Sequence, residues 1–235
     1  MSVSTKSAVS ELVSLATGCD SCTGCSAQQG DGEQGAMPEI KVIPGIHASH
    51  QHGVEYDDAD LLIITKMLGA DLGPGPLSFD AHHGGLISQA IAEHNFKGNS
   101  GEHLTIELAG QEGSEKKPRH IVVVGLGSPE DVSKRRVCAL FNYALDLSCH
   151  LKAESLILPV FPYRLTADTL GLKATGAILR CLVAERARRH AVGNLKEIRL
   201  LCAPQAKTHL AAGLAVEHSL CNHCRIPKMT EKPRY

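Results

Sequence analysis

The sequence predicts an α/β protein whose largely parallel sheet is covered by helices on both faces. Three observations carry that prediction. Residues 60–65 and 121–124 are apolar, mostly β-branched runs of the kind that fill a buried parallel strand. From residue 121 onward, strand and helix patterns alternate three times. The helical stretches carry apolar residues at three- and four-residue spacing, so each has one face to bury.

Taken in order, residues 1–39 read as a flexible, cysteine-containing leader. Residues 10–16 could form a helical turn or two, but the polar, glycine-rich stretch 18–38 cannot pack a core of its own. The body spans 40–220 and opens on a short strand at 40–43, limited by Pro44 and the histidine-rich HASHQHG. Residues 60–65 form a central strand, entered through Asp57, Asp58 and Asp60, with Asp60 placed to face a pocket. A long loop covers residues 68–85, and Asp80 or the pair Gly84 and Gly85 opens a helix with Ile87, Ala90, Ile91 and His94 on one face. Residues 104–108 alternate like an exposed strand, followed by the solvent-facing turn EGSEKKPR. After the buried strand 121–124, Ser128 serves as helix cap, Pro129 as first residue and Asp131 as part of an acidic first turn. That helix runs to about Leu151 and buries Val137, Phe141, Ala144, Leu145 and Leu151. A strand at 155–160, a helix at 173–190 and a strand at 197–202 follow. Thr208 then caps a last helix to about Leu220, and residues 221–235 form a cysteine-containing tail. Any antiparallel pairing belongs to the amino-terminal half.

Composition sets the function classes aside rather than choosing one. With 24 Lys and Arg against 25 Asp and Glu, bulk charge gives no case for nucleic acid or an anionic membrane. The local clusters at residues 134–136 and at Arg186, Arg188 and Arg189 read as solvated basic helix faces. No segment has the roughly 18 consecutive apolar residues of a membrane span. The amino terminus lacks a basic region followed by an apolar block. Nine cysteines without export features fit a reducing compartment, and the cytoplasm is the expected location.

The phrase DADLLIITK, the segment from Asp80 to Glu93, and the phrases FKGNSGEHLTIEL and IVVVGLGSPEDVSKRRVCALFNYAL, in this order, resemble the macro domain. More specifically, they resemble the macro-like amino-terminal domain of the leucyl aminopeptidase family, with Phe96-Lys97-Gly98 and Gly125-Leu126-Gly127 the closest local matches. The resemblance covers about 57–215 and implies a three-layer α/β/α macro-like fold with a mixed, largely parallel sheet. In that family the paired metals and peptide-cleaving residues occupy a larger carboxy-terminal domain. The 235 residues leave no room for it, so the resemblance implies no peptide cleavage here and no catalytic residue is assigned.

The candidate small-molecule contacts are Asp80, His82, His83, Gly84, Gly85, Gly125, Gly127, Ser128, Tyr163 and Arg164. Gly125-Leu126-Gly127-Ser128 precedes a helix whose amides could meet phosphate, yet Glu130 stands where a dinucleotide fingerprint has its third glycine. A fold-building turn is therefore the stronger reading there. Loop 68–85 leaves a central strand, Gly84 and Gly85 permit close backbone approach, Asp80 could orient a ribose or amine, and His82 or His83 could stack. ADP-ribose-binding macro domains usually carry an Asn-rich phrase after the corresponding strand. Lys66, Met67, Leu68 and Gly69 stand there instead.

The two-residue spacings of Cys19, Cys22 and Cys25 and of Cys221 and Cys224 suit zinc or an iron–sulfur cluster, with His218 and His223 as nitrogen alternatives. Surface thiols or redox pairs explain the same residues. His47, His50 and His52 are a solvated loop or loose metal contacts. Cys138, Cys149, Cys181 and Cys202 read as buried packing residues. The expected function is a non-catalytic macro-like module for ligand binding or protein association, with a small phosphorylated ligand, a protein partner or a second copy as partner. The alternatives are a small enzyme acting on an ADP-ribose-like ligand and a metal or redox protein built on the terminal cysteines.

Overall fold

A computed structural model describes residues 4–6, 36–44, 59–108, 118–159 and 171–215. Among these residues seven strands form one sheet: β1 (Ser4–Lys6), β2 (Glu39–Pro44), β3 (Leu61–Lys66), β4 (His103–Glu107), β5 (His120–Gly125), β6 (Ser155–Pro159) and β7 (Glu197–Cys202), in the order β1-β4-β5-β3-β6-β7-β2. β5, β3, β6, β7 and β2 run parallel. β4 pairs antiparallel with β5, and β1 with β4, so the antiparallel part lies in the amino-terminal half as expected. The three residues of β1 lie inside the segment read as a leader. Backbone pairing at a sheet edge needs no apolar pattern, and Ser4-Thr5-Lys6 offers none.

Among the described residues, five helices cover the sheet: α1 (Pro74–His82), α2 (Leu86–Glu93), α3 (Lys134–His150), α4 (Leu172–Arg188) and α5 (Lys207–Leu214). Alternation along the strands assigns the two faces. Leu61, Ile63, Val122, Val124, Leu156, Leu158, Ile198 and Leu200 pack against α3, α4 and α5. Leu62, Ile64, Leu104, Ile106, Ile121 and Val123 pack against Phe79 of α1 and Ile87 and Ala90 of α2. Period-two burial with helices on both sides is the three-layer α/β/α arrangement. α4 and α5 cross so closely that a Cβ at Gly176 would strike the Leu210 carbonyl, and one at Gly213 the Lys173 carbonyl.

The structure corrects several local expectations. The loop expected at 68–85 contains α1, with Pro74 in its first turn, where a missing N–H costs nothing. After β5 the chain forms a 3-10 turn at Pro129–Asp131. The cap of α3 is Ser133, whose hydroxyl accepts from the Arg136 amide at 3.3 Å, rather than Ser128. α5 starts from a 3-10 turn at Pro204–Ala206, so Thr208 lies inside the helix. Arg186 is not on a solvated face. It is largely buried between α3 and α4, donating to Asp146 (2.7 Å) and to the Asn142 side chain (3.1 Å), while Arg188 and Arg189 pair with Glu185.

Candidate functional site at the carboxyl edge of the sheet

Parallel strands present their carboxyl ends together, at Lys66 of β3 and Gly125 of β5, which are register partners. From β3 the chain passes to α1 and α2 on one face. From β5 it passes to α3 on the other. Neighbouring strands whose connections leave to opposite faces open a crevice between them, the usual ligand position in such sheets.

Here the crevice is occupied by the chain itself. The loop through Lys97, Gly98 and Asn99 lies across it, so close that a Cβ on Gly98 would sit 2.7 Å from the Met67 carbonyl oxygen. Gly98 has φ +87°, and a Cβ on Gly125 would strike the Asn99 carbonyl; both positions need glycine. The three amides of Gly125-Leu126-Gly127 are all spent within the fold. Gly125 donates to the Glu102 carbonyl (2.7 Å), Leu126 to that of Lys66 (2.9 Å) and Gly127 to that of Gly98 (2.9 Å). The Gly127 carbonyl in turn accepts from the Leu68 amide at 2.9 Å. A phosphate cradle needs those N–H groups free and pointing outward; these tie three loops together. Ser128 is half-buried beside the 3-10 turn.

Two residues outside the expected set define the edge. The Lys66 ammonium donates to the carbonyls of Lys97 (3.2 Å) and Met67 (3.3 Å). The Glu102 carboxylate folds back on its own loop, its Oε2 accepting from the amides of Lys97 (3.1 Å), Gly98 (2.8 Å) and Asn99 (2.8 Å) and from Asn99 Nδ2 (3.3 Å). The signal for Glu102 was present in the sequence: two glycines, Gly98 and Gly101, followed at once by an acid.

Asp80, His82, His83, Gly84 and Gly85 are gathered elsewhere, at the turn between α1 and α2. That turn lies at the ends of both helices away from their junctions with the edge loops at Gly73 and Phe96, and nine residues of α1 alone rise about 13 Å. Asp80 is buried, and its carboxylate is committed to the start of α2, accepting from the Ile87 amide (2.6 Å), the Ser88 amide (3.2 Å) and the Ser88 hydroxyl. Gly85, the cap residue, has no side chain to do this, and a carboxylate suits the positive helix end. Gly84 and Gly85 supply left-handed φ values of +72° and +77°. Open space surrounds both, so backbone conformation, not close approach, calls for glycine. His83 packs on the Phe79 ring with centroids 4.2 Å apart, and His82 is exposed.

Asp60 does not face the crevice. At the amino end of β3 it accepts from the Glu154 amide (2.8 Å) and the Ser155 amide (3.2 Å), and it pairs with Arg119 at 3.4 Å. Burial pushes the Cys202 thiol up to about 11, and its carbon neighbours in the core identify it as a packing residue. Tyr163, Arg164, the three loop histidines and the five terminal cysteines lie outside the described residues. Among the described residues, no group of three or more His, Cys, Asp or Glu side chains could hold a metal ion, and no helix is long and apolar enough to cross a membrane.

Comparison with known proteins agrees with this architecture. A macrodomain of Trypanosoma brucei, solved in complex with ADP-ribose, superposes with a TM-score of 0.50 at 14% identity, covering 76% of this chain and 69% of that one. That likeness is one of fold. A mutant of tomato leucine aminopeptidase matches at 17% identity and a TM-score of 0.47 over 77% of this chain, which spans only 37% of the tomato chain. An Oceanobacillus iheyensis macrodomain with ADP matches at 11% identity and a TM-score of 0.48, covering 91% of this chain and 96% of that one. No curated protein matches the sequence. The family model described as the N-terminal domain of the cytosol aminopeptidase family matches residues 67–186, just over half of the chain. That span contains the α1–α2 hairpin, the Gly98 loop, the Gly125 turn and most of α4. The chain belongs to the cytosol aminopeptidase family, whose macro-like amino-terminal domain its residues 67–186 match.

Proposed function

We propose that the chain is a non-catalytic module that works through protein association rather than phosphate capture. The observation that carries this reading is the closed crevice: all three amides of Gly125-Leu126-Gly127 are bonded to carbonyls of the same chain. Asp80, the carboxylate best placed in sequence to orient a ribose, is bound to the start of α2. Leu68 and Leu77 support the association reading. Both are large apolar side chains exposed on the segment that leaves β3, the kind of residue a protein interface covers at its centre.

Calorimetry of the purified chain with ADP-ribose and ADP tests the choice. Under the association reading, neither ligand gives saturable heat at a Kd tighter than about 1 mM. Binding in the micromolar range overturns it. The positive arm is affinity capture with the parent and a Leu68→Asp/Leu77→Asp variant, in which the variant loses the partners that the parent retains.

A second reading, an ADP-ribose-like ligand bound or processed at the same edge, is favoured by the Trypanosoma brucei macrodomain, whose complex contains that ligand. The calorimetry that overturns the first reading supports this one.

A further inference from the structure

The Gly98 loop carries more hydrogen-bonding capacity than a connection between α2 and β4 requires. Three successive amides, those of Lys97, Gly98 and Asn99, converge on one oxygen, Glu102 Oε2, and Asn99 Nδ2 adds a fourth donor. The other carboxylate oxygen accepts from Lys97 N at 3.3 Å. Successive N–H groups curling round one point, with a left-handed glycine among them, form a concavity that binds anions. Positive charge stands next to it: the Lys66 ammonium is held on the Lys97 carbonyl, and Lys97 itself is exposed. The loop also lies across the switch point between β3 and β5, where a fold of this type presents its crevice.

We propose that the amides of Lys97, Gly98 and Asn99 form an oxyanion seat at the carboxyl edge, and that the resident anion is the chain's own Glu102 carboxylate, which keeps phosphate groups off this part of the edge. The tether is three to five residues long, so the carboxylate faces its donors at a high effective concentration. A free phosphate at cellular concentration has to displace a charge-assisted set of bonds that is already made. The seat goes beyond the association reading, because it concerns which chemistry the edge rejects and why. The ligand class it takes, once vacated, is a small tetrahedral oxyanion.

The experiment is an amide-resolved NMR titration with inorganic phosphate on the full chain and on Glu102→Ala and Glu102→Gln. In the parent, the amides of residues 97–99 do not respond at millimolar phosphate. In Glu102→Ala the same three amides shift saturably, with an apparent affinity at least about tenfold above any parent response. Glu102→Gln keeps a neutral acceptor in the loop and gains a smaller factor, about threefold. Should Glu102→Ala fail to fold, Glu102→Gln decides alone. The proposal is overturned if the folded variants bind phosphate no more tightly than the parent, or if the parent's own amides at 97–99 titrate as the variants' do. ADP-ribose binding by the parent that leaves those amides unmoved would remove the association reading and leave the seat standing.

Discussion

Asp60 and Glu102 each collect backbone amides, at opposite ends of the sheet. Asp60, at the amino end of β3, accepts from Glu154 and Ser155, 94 and 95 residues away in the chain. The Asp60 carbonyl also takes the amides of Arg119 and His120, so one residue holds the starts of β3, β5 and β6 together. The Glu102 carboxylate, at the carboxyl edge, accepts from residues three to five positions before it, while its backbone carbonyl takes the Gly125 amide. The same interaction therefore fixes tertiary register at one end and shapes a single loop at the other. At the carboxyl edge, the long-range work is done by close backbone contact at Gly125 and Gly98. A carboxylate can be replaced by water when it is lost, whereas a backbone approach without room for a methyl group cannot adapt in that way.

The comparison predicts an order of effects. Gly125→Ala is the most damaging, because its Cβ would strike the Asn99 carbonyl and neither backbone has slack; about 3 kcal/mol of stability is lost, read as a fall in urea midpoint with an unchanged slope. Asp60→Ala comes next, at about 2 kcal/mol, since the Glu154 amide and the part-buried Ser155 amide both lose a charged acceptor. Its signature is faster hydrogen exchange at both Glu154 and Ser155, and protection equal to the parent's at those positions would refute its long-range role. Glu102→Ala costs about 1 kcal/mol globally, with increased exchange confined to residues 97–99. If exchange also rose at Glu154, the two ends would not be independent.

The smallest effect is on pH dependence, and both ends contribute. Burial lowers the pKa of His120, near Asp60, and of His103, next to Glu102, and in each the Nδ1 atom is buried without a hydrogen-bond partner among the described residues. Glu107 and Asp60 act against the shift at His120, with Arg119 adding to it. The Gly101 backbone acts against it at His103. A depressed histidine pKa means that the unfolded chain takes up its proton first as pH falls, beginning near 6.5. Stability should therefore decline from pH 7.5 to 5.5. A His103→Gln/His120→Gln variant should decline less, as measured by urea midpoints at the two values. An equal decline in both proteins would exclude these histidines as its source.

Much of the scaffold was legible from pattern. The strands at β3 and β5 showed themselves because a strand buried on both faces is apolar along nearly its whole length. The family resemblance rested on phrases that prove to be adjacent in space: FKGNSGE and GLG touch across the crevice. α1 was missed because PGPLSFDAH is rich in turn-forming residues, although prolines in a first turn are compatible with a helix. Ser128 and Ser133 are both competent caps, and local sequence cannot rank them.

The sequence by itself determined most of the strands and helices, β1 and α1 excepted, the two-faced apolar pattern that demands helices on both sides, and the kinship those phrases imply. Such properties are set by residue period and by contacts within a few positions. Only the tertiary structure decided what the polar residues do. Asp80, Asp60 and Glu102 are all carboxylates beside glycines or strand ends, and the chain order does not distinguish them. Their roles depend on which amides the packed sheet and helices bring within about 3 Å, and that distance is fixed only when the layers close. The glycine phrase that could have cradled phosphate is, in the closed fold, a junction whose donors already have carbonyl partners.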